Sequence, residues 1–182
     1  MAMDSYSNRA SSLFTTFTRV LFTVATLNHF TSYFYSPAPV GTVALAKSGS
    51  IEYTEFKTYK ADQVMLDFDL HVDLATEKNW NVNQLYVFVV ASYETTKNNK
   101  NEIIIFDKIF GDQSEFKFTL RNIKNKYMLR DEFKETLAGQ HVSVSIRYQV
   151  MPIFGLLRIK EIPVKGGFTI PAEYTTKGGK SR

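Results

Sequence analysis

Residues 64–74 read Val-Met-Leu-Asp-Phe-Asp-Leu-His-Val-Asp-Leu, and every second side chain in this stretch is apolar. A period of two predicts a β-strand that buries one face and exposes the other. The same alternation recurs over residues 116–121 and 142–150. Residues 85–93 are apolar on both faces, which is typical of a strand in the middle of a sheet. Residues 102–110 follow a turn rich in lysine and asparagine and are predicted to form the return strand.

These segments predict the fold class of the main part of the chain. Roughly five to eight strands joined by short turns indicate a mainly β protein with an antiparallel β-sandwich, rather than a fold of alternating strands and helices. Residues 122–138 are predicted to contain a short helix. Pro152, Pro163 and Pro171 punctuate the final region, where one or two edge strands are expected.

A mostly apolar stretch, residues 10–35, precedes the β-rich region and ends before a Pro-Ala-Pro sequence. A helix of this length would reach about 39 Å, enough to cross a hydrocarbon core of about 30 Å with some tilt. We therefore predict a single transmembrane helix over residues 13–35. Arg9 and Arg19 lie toward its N-terminal end, so the positive-inside rule predicts a cytosolic N-terminus and a type II signal anchor.

Polar side chains interrupt this helix along one stripe. At 100° per residue, Thr15, Arg19, Thr23 and Thr26 share one face. A charge at the middle of a bilayer is costly, so this face is predicted to contact a partner helix, where polar side chains form hydrogen bonds across the interface. In the alternative, Arg19 marks the cytosolic interface and the span is the shorter segment 20–35.

Two other interpretations of the same segment are less favoured. A cleaved signal peptide would use the small residues of Ala44-Leu45-Ala46, but these lie well beyond the apolar stretch. A helix lying in the membrane surface would need a concentrated lysine and arginine face, and Arg9 and Arg19 do not provide one.

Composition narrows the function classes. The chain is 44% hydrophobic and 14% aromatic, which is ample for a folded core. Its net charge of +4 is spread along the sequence, so no nucleic-acid partner is expected. The chain has no cysteine, which excludes disulfides and cysteine-bound zinc. No cofactor is expected.

Candidate catalytic and metal-binding residues are sparse. Asp67, Asp69, His71 and Asp73 share the polar face of one strand, but neighbours there are about 6.6 Å apart, and a solvated face is favoured over a metal site. A membrane-anchored serine hydrolase using Ser50 and His141 remains an alternative, although the chain has no Gly-x-Ser-x-Gly motif. A tethered sandwich that binds a small ligand is a third possibility.

Seven sequence blocks resemble one known family when taken in order and spacing. They are Arg9–Phe14, Phe68–Leu74, Trp80–Phe88, Ala91–Asn99, Asp107–Ile109, Asn125–Tyr127 and Val150–Pro152. Together they resemble the subunit 3 family of the signal peptidase complex, over nearly the whole chain. Arg19 departs from the family pattern, as do Asn83 and the absence of a glycosylation sequon.

The resemblance implies a function that the residues alone do not. In that family one N-terminal helix anchors a β-sandwich in the lumen of the endoplasmic reticulum, beside the catalytic subunit that removes signal peptides. The expectation is thus a subunit that is not itself an enzyme and that holds and positions the catalytic subunit, its partner along with the other subunits of the complex. Asp69, Asp73, Trp80 and Asn81 match the family motifs, with roles in packing or at an interface; a core role is favoured for Trp80.

The expected organisation combines these inferences. It comprises a short cytoplasmic N-terminus at 1–12, the transmembrane helix at 13–35, a linker and the start of the luminal region at 36–60, the luminal β-sandwich at 61–175 and a basic tail at 176–182.

Overall fold

The computed structural model describes residues 5–46, 51–56, 61–111, 115–131, 133, 136–162, 164 and 166–175. It contains one long helix, α1 (Tyr6–Thr31), and two short 3₁₀ turns, Ser32–Phe34 and Ala75–Glu77. The strands are β1 (Val40–Leu45), β2 (Ile51–Phe56), β3 (Ala61–Asp73), β4 (Val82–Tyr93), β5 (Asn101–Phe110), β6 (Lys117–Lys124), β7 (Leu129–Arg130), β8 (His141–Pro152), β9 (Arg158–Ile162) and β10 (Gly167–Thr169).

Helix α1 stands apart from the core. Ser5 caps its start by accepting a hydrogen bond from the backbone N–H of Asn8 at 3.2 Å. None of its side chains is buried, and large apolar side chains such as Leu13 and Phe22 are exposed. The segment Tyr6–Phe34 is long and apolar enough to cross a membrane. The helix begins within residues 1–12, upstream of the predicted membrane segment.

The first sheet is built around β3, the strand identified by its alternation. The C-terminal half of β3 pairs with β1 and β6, and its N-terminal half pairs with β2 and β7. The second sheet has the order β10-β8-β4-β5, and β9 also pairs with β8. All of these pairings are antiparallel.

Apolar side chains from both sheets form one buried cluster. It includes Phe68 and Leu70 from β3, Val89 from β4 and Ile146 from β8. The central position of β4 explains its apolar character on both faces, because Val87, Phe88, Val89 and Val90 are all buried. The expected mainly β fold, with an apolar N-terminal helix and antiparallel sheets, is confirmed.

The structure adds detail to one expected segment and contradicts one expected element. Within the expected linker and start of the luminal region at 36–60, residues 40–45 are β1 and residues 51–56 are β2. β1 lacks a clear alternation, and its pairing with β3 supplies the order that its sequence does not signal. The described residues of 122–138 contain no helix; they finish β6 and form β7. A signal peptidase cut after Ala46 would remove β1 from its sheet.

A buried carboxylate, Asp62, joins β2, the segment before β8 and the end of the described chain by hydrogen bonds. Asp62 is fully buried and accepts hydrogen bonds from the hydroxyls of Tyr53 and Tyr174 and from the backbone N–H of Leu137, each at 2.9 Å. Thr175 adds a backbone bond to the carbonyl of Tyr53 at 2.8 Å. The end of the described chain is thereby joined to β2.

Asp62→Ala should destabilise the sandwich strongly, by about 3 kcal/mol, because three donors, two of them in fully buried bonds, lose their acceptor. Tyr174→Phe, which removes one donor and leaves the carboxylate in place, should cost about 1 kcal/mol. Urea unfolding in detergent, followed by circular dichroism, measures both. Equal small effects from the two variants would contradict this role of Asp62.

A surface ion pair supplies a pH-dependent contribution. Arg147 on β8 binds Glu102 on β5 through two hydrogen bonds of 2.9 Å, and Lys100 adds a contact of 3.0 Å. The bonds from Arg147, followed by that from Lys100, lower the pKa of Glu102 to about 2. The carboxylate therefore stabilises the folded state above its unfolded pKa of about 4.3, and this contribution is lost as the pH falls toward the folded value.

Glu102→Gln should lower the free energy of unfolding at neutral pH by about 1 kcal/mol or less, since the pair is partly solvated. The difference between variant and wild type should shrink as the pH falls below about 4. Urea unfolding at several pH values tests this, and a difference that grows on acidification would rule it out.

Candidate functional site

The end of α1 meets the sandwich at a small cleft. The helix side contributes His29, Ser32 and Tyr35, and the sandwich side includes Glu77 and Arg158. The sandwich wall includes the 3₁₀ turn Ala75–Glu77, the start of β4, the end of β8, the loop 153–157 between β8 and β9, and the start of β9. We call this region the junction.

Three contacts hold the helix end at the junction. The imidazole of His29 packs against Gly155, so closely that a Cβ at position 155 would collide with the ring. Gly155 also has φ +121°, a conformation that favours glycine. The guanidinium of Arg158 lies 3.7 Å from the centre of the Tyr33 ring, and the Tyr35 hydroxyl donates to the carbonyl of Lys78 at 3.2 Å.

Asn81 holds the loop 153–157 in place. Its side chain is buried and donates to the carbonyl of Phe154 at 3.0 Å, and its side-chain oxygen accepts from the N–H of the same residue at 3.1 Å. The carbonyl of Asn81 also accepts from the N–H of Ile153 at 2.7 Å. The amide thus pairs with the loop as a neighbouring strand would, and it determines where the loop lies.

A buried charge lies beneath the helix end. Glu77, in the second 3₁₀ turn, is buried and accepts hydrogen bonds from the Tyr148 hydroxyl and from Lys160 Nζ, the latter at 2.8 Å. Burial, and secondly the bond to Glu77, raises the pKa of Tyr148 well above its usual value. This triad links the 3₁₀ turn Ala75–Glu77 to β8 and β9 and leaves the Glu77 carboxylate paired.

Two of the motif carboxylates, Asp69 and Asp73, lie on β3 and have partners on neighbouring elements. Asp69 accepts a hydrogen bond of 2.7 Å from the N–H of Asn122, whose φ of 52° accompanies an irregularity in the pairing of β3 with β6. Asp73 accepts from the N–H of Ala75 at 3.1 Å and pairs with Lys117 at 2.8 Å. The bond from Lys117 is the main cause of the lowered pKa of Asp73.

Trp80 stands between the junction residues Asn79 and Asn81 in the sequence and is not in the core. Its side chain is 53% exposed, so the core role favoured from the sequence is wrong. Its neighbour Asn81 is 2% exposed. A single tryptophan in a β-rich chain is expected in the core, but here the Asn81 amide is buried and the Trp80 indole is exposed.

The stripe on α1 uses its own backbone for hydrogen bonding. The hydroxyls of Thr15, Thr23 and Thr26 donate to the carbonyls four residues earlier, at 2.8 to 2.9 Å. This satisfies their donors within the helix and leaves oxygen lone pairs and Arg19 on that face. The predicted contact of Thr15, Arg19, Thr23 and Thr26 with a partner helix stays a prediction.

The residues considered for chemistry are not assembled into a described site. Among the residues that the structure describes, no group of three metal-ligating side chains, Asp67 to Asp73 included, is placed to hold an ion. His71 Nδ1 lies 2.7 Å from the hydroxyl of Thr119. Ser50 lies outside the described residues, and His141 Nδ1 lies 3.5 Å from the hydroxyl of Thr169.

The fold and the junction define a class of protein in which an apolar N-terminal helix carries an antiparallel β-sandwich. A family model described as signal peptidase subunit matches residues 3–173, and the chain belongs to this family.

Relatives in animals and fungi are similar to the chain. The signal peptidase complex subunit 3 of Caenorhabditis elegans is 32% identical over 117 residues, which are 64% of this chain and 65% of that protein. The subunit of the same name in Drosophila melanogaster is 33% identical over 119 residues, with the same shares. The Schizosaccharomyces pombe subunit is 26% identical over 179 residues, 94% of this chain and 95% of that protein. The matched part of the chain thus spans slightly less than two thirds of the length of the first two.

Sequence reasoning missed most of the junction. His29 was one polar residue within an apolar helix, and Glu77 had no partner nearby in the sequence. Gly155, between apolar residues after Pro152, was the one local signal, because a glycine there indicates a turn with unusual backbone angles.

Asn81→Ala should release the loop 153–157. We expect a loss of about 2 kcal/mol in the free energy of unfolding and faster proteolysis within the loop, because two backbone groups lose their partner. Limited proteolysis with mass spectrometry measures the second effect. Asn83→Ala, which changes an exposed asparagine two residues away, should leave both properties unchanged. Equal cleavage of the two variants would contradict the role of Asn81.

Proposed function

We propose that this chain is a non-catalytic subunit of the signal peptidase complex that supports the removal of signal peptides from secretory proteins at the endoplasmic reticulum. Family membership supports a role in that complex. The observation that carries the more specific role is the seating of α1 on the sandwich through His29 and Gly155, Tyr33 and Arg158, and Tyr35 and Lys78.

In this proposal α1 spans the membrane of the endoplasmic reticulum and the sandwich lies in the lumen. Arg9 and Arg19 toward the helix start support a cytosolic N-terminus by the positive-inside rule. The proposed boundaries remain a membrane segment at 13–35 and a luminal domain at 61–175, with β1 and β2 of residues 36–60 joined to it. The basic tail at 176–182 follows.

The proposed mechanism is positioning. The three junction contacts restrict the angle and the height of the sandwich relative to the end of α1. A sandwich restrained in this way can hold a catalytic subunit bound to it at a fixed height above the bilayer. Small misplacements of reacting groups reduce rates strongly, so a rigid support of this kind aids proteolysis without contributing a nucleophile.

Partner contacts are proposed on both parts of the chain. The stripe of Thr15, Arg19, Thr23 and Thr26 would face a membrane helix of another subunit, since lone pairs of the threonine oxygens and the guanidinium remain for contacts across the interface. The sandwich would contact the luminal part of the catalytic subunit. No metal, cofactor or nucleic acid takes part in this proposal.

Gly155→Ala tests the positioning role, because the added Cβ must displace His29. In cells depleted of the native protein, we expect the variant to retain the catalytic subunit on purification in mild detergent but to process a secretory reporter about tenfold more slowly, equivalent to about 1.4 kcal/mol. Pulse labelling of the reporter measures the rate.

One set of controls separates the collision of the new Cβ with His29 from backbone strain. Another set separates a positioning role from a catalytic role. Gly139→Ala changes a glycine that also has positive φ, at 67°, but has no atom within 4 Å of the added Cβ, so processing should stay near wild type. His29→Ala combined with Gly155→Ala should restore part of the rate. Ser50→Ala and His141→Ala should have no effect. Loss of processing in Ser50→Ala, or purification of the wild-type chain without a catalytic subunit, would overturn the proposal.

A further inference from the structure

Six large apolar side chains are exposed in the segments of chain that border the junction, and we call them the basal patch. Four are more than half exposed in the segment 153–159, and Phe154 and Trp80 are exposed by 37% and 53%. The patch comprises Trp80, Ile153, Phe154, Leu156, Leu157 and Ile159. A cluster of this size on a folded domain marks a surface that is covered in the working protein.

We propose that the basal patch enters the interfacial region of the same bilayer that α1 spans, and so gives the sandwich a second attachment to lipid. This inference rests on the membrane-spanning helix of the proposed function. The headgroup and upper acyl region of the bilayer is the occupant to which the geometry points, and three observations carry it.

The first observation is depth. Gly155 contacts His29, and α1 ends at Thr31, so the loop is level with the last turn of the helix. At about 1.5 Å per residue, His29 lies about 3 Å from the end of α1. His29 is inside the predicted span 13–35 and also inside the shorter alternative 20–35. The loop contacts His29 from the side. It therefore lies at the depth of the last turn of α1, close to the membrane surface.

The second observation is that part of the loop backbone is already satisfied. Ile153 and Phe154 donate their N–H groups to Asn81, and the carbonyl of Phe154 accepts from the same residue. A backbone group without a partner is costly in a poorly hydrated environment. These bonds allow this part of the loop to enter such an environment without losing hydrogen bonds to water.

The third observation is the set of residues around the patch. Tyr33 and Tyr35, which follow α1, are 53% and 47% exposed, and the Tyr35 hydroxyl bonds to Lys78, two residues before Trp80. Tyrosine and tryptophan are enriched where hydrocarbon meets headgroups. Lys78 is exposed beside Trp80, and Arg158 stacks on Tyr33, so cations are available to lipid phosphates. The patch is joined to the end of α1 through the contact of Gly155 with His29.

Trp80 is the only tryptophan in the chain, so its fluorescence reports on the patch directly. The full chain would be reconstituted into phosphatidylcholine vesicles with bromine placed either near the headgroup end or near the middle of the acyl chains. We expect at least twofold stronger quenching of Trp80 by the shallow bromines than by the deep ones. Acrylamide in the aqueous phase should quench weakly.

A matched variant moves the probe to the opposite end of the sandwich. Phe133 is 40% exposed and contacts Lys97 in the loop after β4, whereas Trp80 precedes β4. Trp80→Phe combined with Phe133→Trp should be quenched by acrylamide and not by brominated lipid. Leu156→Asp combined with Leu157→Asp changes only exposed positions, and it should raise acrylamide quenching of Trp80 at least twofold.

Resistance to alkaline carbonate extraction separates failure of this inference from failure of the membrane span. In a carbonate-resistant chain, quenching of Trp80 by acrylamide and not by brominated lipid would overturn the inference. Shielding of Trp80 that requires an added signal peptidase catalytic subunit would overturn it as well, and would assign the patch to a protein interface. The quenching result does not depend on signal-peptide processing, so the two proposals can fail separately.

Discussion

The hydrogen bonding of β3 on both edges is the constraint on which the sandwich depends. Its C-terminal half lies between β1 and β6, and its N-terminal half pairs with β2 and β7, so four strands take their positions from one. The same alternation that directs Phe68, Leu70 and Val72 into the core leaves Asp69 and Asp73 free to hold neighbouring turns. Loss of register in β3 would exchange these two sets and would remove both functions.

Polar groups within the sandwich position the surface against which the end of the helix packs. Asn81 pairs with the loop at Phe154, and Glu77 binds Tyr148 and Lys160. Tyr33, which follows α1, then stacks on Arg158 of this surface. Hydrogen bonds fix the position of this surface more strictly than apolar contacts would, since they weaken steeply with misalignment. The junction is therefore suited to holding one orientation.

The elements that the sequence predicts well are those whose order is local. β3 and β8 show an uninterrupted alternation, and β4 is apolar on both faces, so each could be assigned alone. β1 could not, because Val-Gly-Thr-Val-Ala-Leu has no clear period and is ordered by its partner. Trp80 was misassigned for a different reason. The alternation of apolar and polar residues around Trp80 does not show whether its side chain is buried. The role of Glu77 depends on residues 71 and 83 positions later.

The long sequence separations in the sandwich have a consequence for the order of assembly. β4 pairs with β8, and Tyr53 is tied to Thr175 across 122 residues, so neither sheet can be completed until most of the chain has been made. The apolar helix, by contrast, is complete within the first 31 residues. In the proposed function, this helix would therefore enter the membrane while the sandwich is still unfolded. If α1 spans the membrane as proposed, its orientation is set before the loop 153–157 can fold against His29.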